Sequence, residues 1–173
     1  MCIRDRLEAK GIYEVVFDNT NLKDEQWYIN TNQSYAFAND TVTASYGTAT
    51  PKAHADTLWT QQDSDDGDLP SDKSVGDVKV EGLKTTLIKN LKVNVANELA
   101  RTDWYITRNT EKSTAIPSAI STHRDLVRSR QASIEAQITG AADTPALETL
   151  HTFTKQEDNT VTRPLGELPV LES

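Results

Sequence analysis

Three histidines, at positions 54, 123 and 151, and one cysteine, Cys2, are the side chains best suited to ligate a metal or shuttle a proton. None of the histidines lies near the cysteine, and no His-Glu-x-x-His stretch occurs, so the spacing offers no zinc site. His123 falls on a predicted helix and reads as a partly buried helix residue, not a catalytic one. The densest acidic run, Asp63-Ser64-Asp65-Asp66-Gly67-Asp68, invites a calcium reading. With Gly67 at the glycine position of an EF-hand loop, Gln62 comes first and Lys73 stands where a bidentate glutamate belongs. That register fails, and the run reads as a solvated acidic loop. No GxSxG, GxxxxGK[ST] or GxGxxG motif supports serine, phosphoryl or dinucleotide chemistry. Carboxylate pairs for glycoside hydrolysis abound in any acidic chain, and no aromatic-lined cleft signature selects one of them. The expectation is a protein with no catalytic residues, no cofactor and no metal.

Charge narrows the partners. The 173 residues carry 18 Lys and Arg against 26 Asp and Glu, a formal net charge of −8. Such a surface repels phosphate backbones, and the basic residues are too dispersed to form a patch, so neither nucleic acid nor an anionic membrane is expected as a partner. No apolar run approaches the ~20 residues of a membrane-spanning helix. The start of the chain has no apolar core of a secretory signal, and one cysteine allows no internal disulfide, which fits a reducing compartment. Met1-Cys2-Ile3-Arg4-Asp5-Arg6 resembles translated sequencing-adaptor read-through at the start of metagenomic reading frames. Residues 1–6 are therefore set aside from fold reasoning as an artefactual leader.

The elements that would position any site follow from periodicity. Ile12-Tyr13-Glu14-Val15-Val16-Phe17, Trp27-Tyr28-Ile29, Ser34-Tyr35-Ala36-Phe37-Ala38 and Thr41-Val42-Thr43-Ala44-Ser45-Tyr46 read as short strands, the last two joined by an Asn39-Asp40 turn. They make a small sheet with one apolar face, barely stable without a covering layer. Thr50-Pro51 reads as the start of a short helix carrying Ala53, Ala55, Leu58 and Trp59. Leu83, Leu87, Leu91, Val95 and Leu99 recur every four residues and predict a long amphipathic helix. A second helix begins at Pro117, carries Ile120, Val127, Ile134 and Ile138, and stops at Gly140. Asp143-Thr144-Pro145 opens a third, short helix with Leu147 and Leu150. The predicted class is α+β, a small antiparallel β-meander followed by a C-terminal α-helical hairpin with a short third helix. Its parts are a β-rich subdomain over 7–62, an acidic linker over 63–76, the hairpin domain over 77–154 and an irregular tail over 155–173.

One pattern stands out from this frame. Arg101-Thr102-Asp103-Trp104 follows the first long helix, and His123-Arg124-Asp125-Leu126-Val127-Arg128 lies on the second. A tryptophan at a helix end is large enough to wedge between two helices, and arginines four apart share a helix face where they can meet carboxylates. These residues resemble the tail assembly chaperone family of tailed bacteriophages, whose pattern is a helix ending in Asp-Trp, a loop, and a helix bearing Tyr-Arg with a further arginine four residues on. Asp103 and Trp104 match the pair, and Arg124 and Arg128 match the arginines. His123 departs from the family's tyrosine, and Ile120 stands where a second tryptophan is common. The resemblance covers about residues 83–130, and the C-terminal half also looks like proteins encoded by marine tailed viruses. It implies a non-enzymatic tail or tail-fibre assembly factor that binds another phage tail protein in the host cytoplasm during assembly. Asp103, Trp104, Arg124 and Arg128 are the candidate contact residues, on the second helix and the loop after Trp104. The alternatives are a virion structural component of tail fibre or baseplate, a homo-oligomer through its strands, and, more weakly, a virion-associated glycan hydrolase.

Overall fold

Asn39 and Asp40 both adopt positive φ, 49° and 56°, the pair that a tight hairpin turn of type I′ requires. They join β3 (Ser34–Ala38) to β4 (Thr41–Ser45) in an antiparallel ladder running from Ala38↔Thr41 to Ser34↔Ser45. This hairpin belongs to a computed structural model that describes residues 9–171, so the leader at 1–6 lies outside the described residues. The fold is α+β, and it divides into two compact units between Lys52 and Ala53.

In the first unit β1 (Glu14–Asp18) completes a sheet of order β1-β4-β3. β1 runs parallel to β4, so this sheet is mixed where a plain meander was expected. The chain between Thr20 and Asp40 is long enough for the crossover that a parallel neighbour needs. β2 (Tyr28–Ile29) pairs antiparallel with β5 (Thr50–Pro51), and the Lys52 amide continues that ladder to the Trp27 carbonyl at 2.9 Å. The helix expected from Thr50-Pro51 is therefore a strand. A Thr-Pro start signal yields here to backbone pairing with Tyr28 and Ile29, and the following residues 53–56 are engaged elsewhere, as described below. Trp27, Tyr28 and Ala44 form the small buried core.

The second unit begins with β6 (Thr57–Leu58) and β7 (Val78–Val80), an antiparallel pair that Trp59 extends by bonding Asp77 and Gly76. The acidic segment between them includes a five-residue helix, α1 (Gln61–Asp65). Thr60 and Asp63 form a reciprocal capping box, with Asp63 Oδ2 accepting from the Thr60 amide at 2.8 Å and the Asp63 amide donating to Thr60 Oγ1 at 3.2 Å. Lys79 from β7 reaches the same carboxylate while lying 4.4 Å from the centre of the Trp59 ring. Hydrogen bonds from Lys79 and Thr60 lower the Asp63 pKa from 3.8 to about 2. A carboxylate depressed in this way contributes stability above the unfolded value of 3.8 that is lost as the pH falls through about 2. Thermal melts of Asp63→Asn should lie below wild type near neutrality and converge with it as the pH approaches about 2. Coincident melts at neutral pH would contradict this role.

Four further helices follow: α2 (Leu83–Ala100), α3 (Asp103–Lys112), α4 (Ser118–Gly140) and α5 (Thr144–His151). α2 and α4 pack antiparallel, since Lys84 near the start of α2 donates to the Thr139 carbonyl at 2.8 Å and Glu98 near its end meets His123. Leu91 and Val95 are buried on α2, and Ile120, Val127, Ile134 and Ile138 on α4, so both predicted stripes supply the core. α5 starts where Asp143 caps it by accepting from the Ala146 amide at 2.8 Å, and it buries Leu147.

The start of α2 is built by residues remote in sequence. Gly82 precedes it with no side chain to cap the orphan amides of the first turn. Asp56 takes that role, accepting from the Gly82 amide at 2.7 Å and from the Thr85 hydroxyl at 2.8 Å. The carbonyls of Ala53 and His54 accept from Leu83 and Lys84, each at 3.0 Å. After α5 the chain forms a two-residue ladder, β8 (Thr154–Lys155) with β9 (Val161–Thr162), and then runs without regular structure. This tail is nonetheless docked. Leu165 is buried, its amide bonds the Leu150 carbonyl, and Arg130 of α4 donates to the carbonyls of Leu165 and Glu167 at 2.9 and 3.1 Å.

Candidate partner-binding surface

Thr102 is the hinge between α2 and α3 and is almost wholly buried, as a threonine must be when its hydroxyl closes a helix end. Its amide and its hydroxyl both donate to the Leu99 carbonyl at 3.0 Å, satisfying one of the orphan acceptors at the C-terminus of α2. Arg124 enters from α4. Its Nη1 donates to the Leu99 carbonyl at 2.8 Å, to Thr102 Oγ1 at 2.7 Å and to Asp103 Oδ1 at 2.8 Å. One guanidinium nitrogen thus gathers the last turn of α2, the hinge and the first residue of α3. The arrangement is electrostatically favourable, because the C-terminus of α2 carries partial negative charge and Asp103 opens α3 at its positive end.

Beside this clamp lies a second link between the helices. Glu98 Oε1 is 3.0 Å from His123 Nε2, and Glu98 Oε2 accepts from Arg101 Nη1 at 2.9 Å. Burial alone would raise the Glu98 pKa. The hydrogen bonds and charges of Arg101 and His123 outweigh it and hold the carboxyl below its ordinary value. His123 is a buried helix residue, and its imidazole is joined to a carboxylate on the neighbouring helix.

The four candidate contact residues have unlike fates. Asp103 and Arg124 meet each other, and Arg124 is buried with its donors directed into the hinge. Arg128, a turn further along α4, is exposed and, among the described residues, pairs with its own neighbour Asp125 at 3.3 Å. Trp104 does not plug the hairpin. It is 51% exposed on α3, in the stretch where a loop was expected. α3 is only ten residues long, buries none of them, and gathers its apolar residues in the single run Trp104-Tyr105-Ile106, so no stripe over several turns marks it as a helix. Asp103 in its first turn and Lys112 in its last favour it through the helix dipole, and Ser113 ends it in the left-handed conformation.

α3 therefore presents aromatic surface. The rings of Trp104 and Tyr105 have centroids 3.8 Å apart, and the Arg108 guanidinium lies 4.9 Å from the first and 5.5 Å from the second. The Nε–H of Arg108 is buried with no acceptor among the described residues, on a guanidinium that lies within cation–π range of both rings. Tyr105 and Arg108 do not feature among the candidates read from sequence, although the spacing of four between Trp104 and Arg108 is the signal of a shared helical face. Ile106 adds a further exposed apolar side chain.

A cleft of about 440 Å³ opens elsewhere in this unit, between α2, α4 and the tail. Its floor is Leu87, Leu91, Ile134 and Ile138, and two of its polar groups are engaged within the chain: His151 Nδ1 with the Leu147 carbonyl at 2.8 Å, and Arg163 with Glu167 at 2.7 Å. Among the described residues no three His, Cys, Asp or Glu side chains converge as metal ligands, and no helix is long and apolar enough to cross a membrane. The chain matches no family model, no curated protein and no solved structure.

Proposed function

We propose that this chain is a non-enzymatic assembly factor of a tailed bacteriophage, chaperone-like, that binds a tail or tail-fibre protein in the host cytoplasm while the particle is built. The observation that carries the reading is the exposed Trp104 stacked on half-buried Tyr105 and Arg108 on α3, next to a hinge fastened by Arg124. Tryptophan, tyrosine and arginine are the residue types that dominate binding energy at protein interfaces. A side chain held on a fixed helix loses less freedom on binding than one on a loop. The resemblance of residues 83–130 to tail assembly chaperones supplies the identity of the partner, and the acidic net charge disfavours nucleic acid as a competitor.

The test is capture of co-expressed neighbouring tail-gene products by the full chain, with Trp104→Ala as the discriminating variant. Trp104 is half exposed, so its truncation should leave the melting temperature near wild type. As a hot-spot residue it should weaken capture by about thirtyfold. Undiminished capture by the variant, or no capture by the folded wild-type chain, would sink the proposal. Arg124→Ala is unsuitable as the discriminating variant, because it opens the hinge and confounds binding with folding. A virion component is the second reading, favoured by the exposed aromatic side chains Phe17, Tyr35 and Phe37 on the sheet of the first unit, described below. Its protein would be present in mature particles, from which an assembly factor would be absent.

A further inference from the structure

The three-stranded sheet of the first unit has two faces of opposite character. Its register aligns Val15, Val42 and Phe37 in one row and Phe17, Ala44 and Tyr35 in another, all on one face. Glu14, Val16 and Asp18 lie on the other face with Thr41, Thr43, Ser45, Ser34, Ala36 and Ala38. Phe17, Tyr35 and Phe37 are 62%, 63% and 57% exposed. The outer edges of β1 and β3 pair with no strand among the described residues. Folded proteins blunt such edges with charge or proline, and an edge left unblunted is a pairing site.

The two edges differ in this respect. β1 reads Glu14-Val15-Val16-Phe17-Asp18. Pairing it antiparallel with a second copy about Val16 would set Glu14 opposite Asp18 of the partner copy at both ends, which is repulsive. β3 reads Ser34-Tyr35-Ala36-Phe37-Ala38, with no charge and no proline. The same operation about Ala36 sets Tyr35 opposite Phe37 twice and brings no like charges together. The backbone agrees with this register. The type I′ turn makes Ala38 and Thr41 a hydrogen-bonded pair, so by alternation Ser34, Ala36 and Ala38 direct their amides and carbonyls toward β4. Tyr35 and Phe37 direct theirs to the open edge, and these are the residues that would exchange hydrogen bonds across the two-fold axis.

We infer that the chain self-associates through β3, antiparallel to β3 of a second copy and centred on Ala36. Two sheets of three strands become one of six, with cross-strand Tyr35–Phe37 pairs at its centre and one continuous apolar face. The contact is isologous, so it closes at the dimer and does not propagate into fibres.

The experiment is sedimentation of the full chain over a concentration series, wild type against two double variants. Tyr35→Lys/Phe37→Lys places like charges opposite each other in both pairs. Tyr35→Lys/Phe37→Glu places opposite charges there with a comparable loss of aromatic surface. Matched melting curves for the two variants ensure that folding is not what is read. The wild type should be a dimer, the double-lysine variant should dissociate about tenfold more readily or worse, and the lysine–glutamate variant should recover most of that loss. A monomeric wild type, a double-lysine variant that dimerises as well as wild type, or two variants that are equally monomeric would each overturn the β3 pairing. The last of these outcomes would point to contact through the apolar face.

Discussion

Arg124→Ala should lower the unfolding free energy by about 2–4 kcal/mol, because it removes a charged donor from a buried hinge. The three oxygens that its Nη1 serves would not suffer equally. Asp103 is exposed enough to be rehydrated, and the Leu99 carbonyl retains the amide and hydroxyl of Thr102. The main losses are the buried bond to Thr102 Oγ1 and the space left by a packed guanidinium. Arg124→Lys should recover only part of the stability: a single nitrogen makes all three bonds and an ammonium also has three donors, but the lysine head is more strongly hydrated and leaves the space of the guanidinium plane unfilled. Denaturant titrations followed by helical circular dichroism would measure both. A change below about 0.5 kcal/mol for the alanine variant would be that of an ordinary surface site and would contradict the clamp.

The second large effect is expected at Gly82. Its backbone is extended, with φ −82° and ψ 173°, so alanine meets no conformational obstacle there. The obstacle is spatial. A Cβ on Gly82 would lie 2.4 Å from both the carbonyl carbon and the oxygen of Ala55, which are backbone atoms that cannot rotate away. Relief would require the start of α2 to move off residues 53–56, breaking the bonds from Gly82, Leu83 and Lys84 to Asp56, Ala53 and His54. Gly82→Ala should therefore destabilise the second unit by about 2–3 kcal/mol, at the upper end of what overpacking costs. Hydrogen exchange should show its effect concentrated in the first turn of α2. Gly140→Ala serves as the control, since nothing among the described residues lies within 4 Å of a Cβ there. Equal stability of the two variants would contradict the close approach.

The parts of this fold that were legible in the sequence are those that follow from burial and from local turn chemistry. The leucines of α2 and the isoleucines and valine of α4 repeat at helical spacing because both helices bury one side against each other. Asn39-Asp40 and Asp143-Thr144-Pro145 are read from their own conformational preferences, and both are a turn and a helix start in the structure. The illegible parts depend on partners remote in sequence. Thr50-Pro51 becomes a strand because Tyr28-Ile29 pairs with it, and Asp56 serves as a cap for a helix 26 residues further on. β1 joins the sheet parallel to β4, a choice that strand patterns alone do not make. α3 buries none of its residues, and its apolar residues are the single run Trp104-Tyr105-Ile106, too short to read as a stripe of several turns.

The candidate site was legible in part for the same reason. Asp103, Trp104 and Arg124 were selected by residue type and spacing, and the structure joins Asp103 to Arg124. Arg124 turns inward because the orphan carbonyl of Leu99 and the hydroxyl of Thr102 form an acceptor pair at the helix end, which spacing alone does not reveal. A charge four residues from another on one helix need not share its fate: Arg128 remains exposed while Arg124 faces the hinge. Trp104 is not the wedge that its size would allow, because the hinge is filled by a threonine and an arginine, which leaves the indole outside.

The central claim, that α3 is where a tail protein docks, is tested most directly by the fluorescence of Trp104 on titration with the purified tail or tail-fibre protein that the chain captures. Trp27 is buried and Trp59 lies partly covered beneath Lys79, so a change at the exposed indole stands out against them. Docking on α3 should move the emission to shorter wavelength and reduce quenching by acrylamide, and both changes should vanish in Trp104→Phe. An emission spectrum and quenching that stay constant while the complex forms would place the partner elsewhere and contradict the claim.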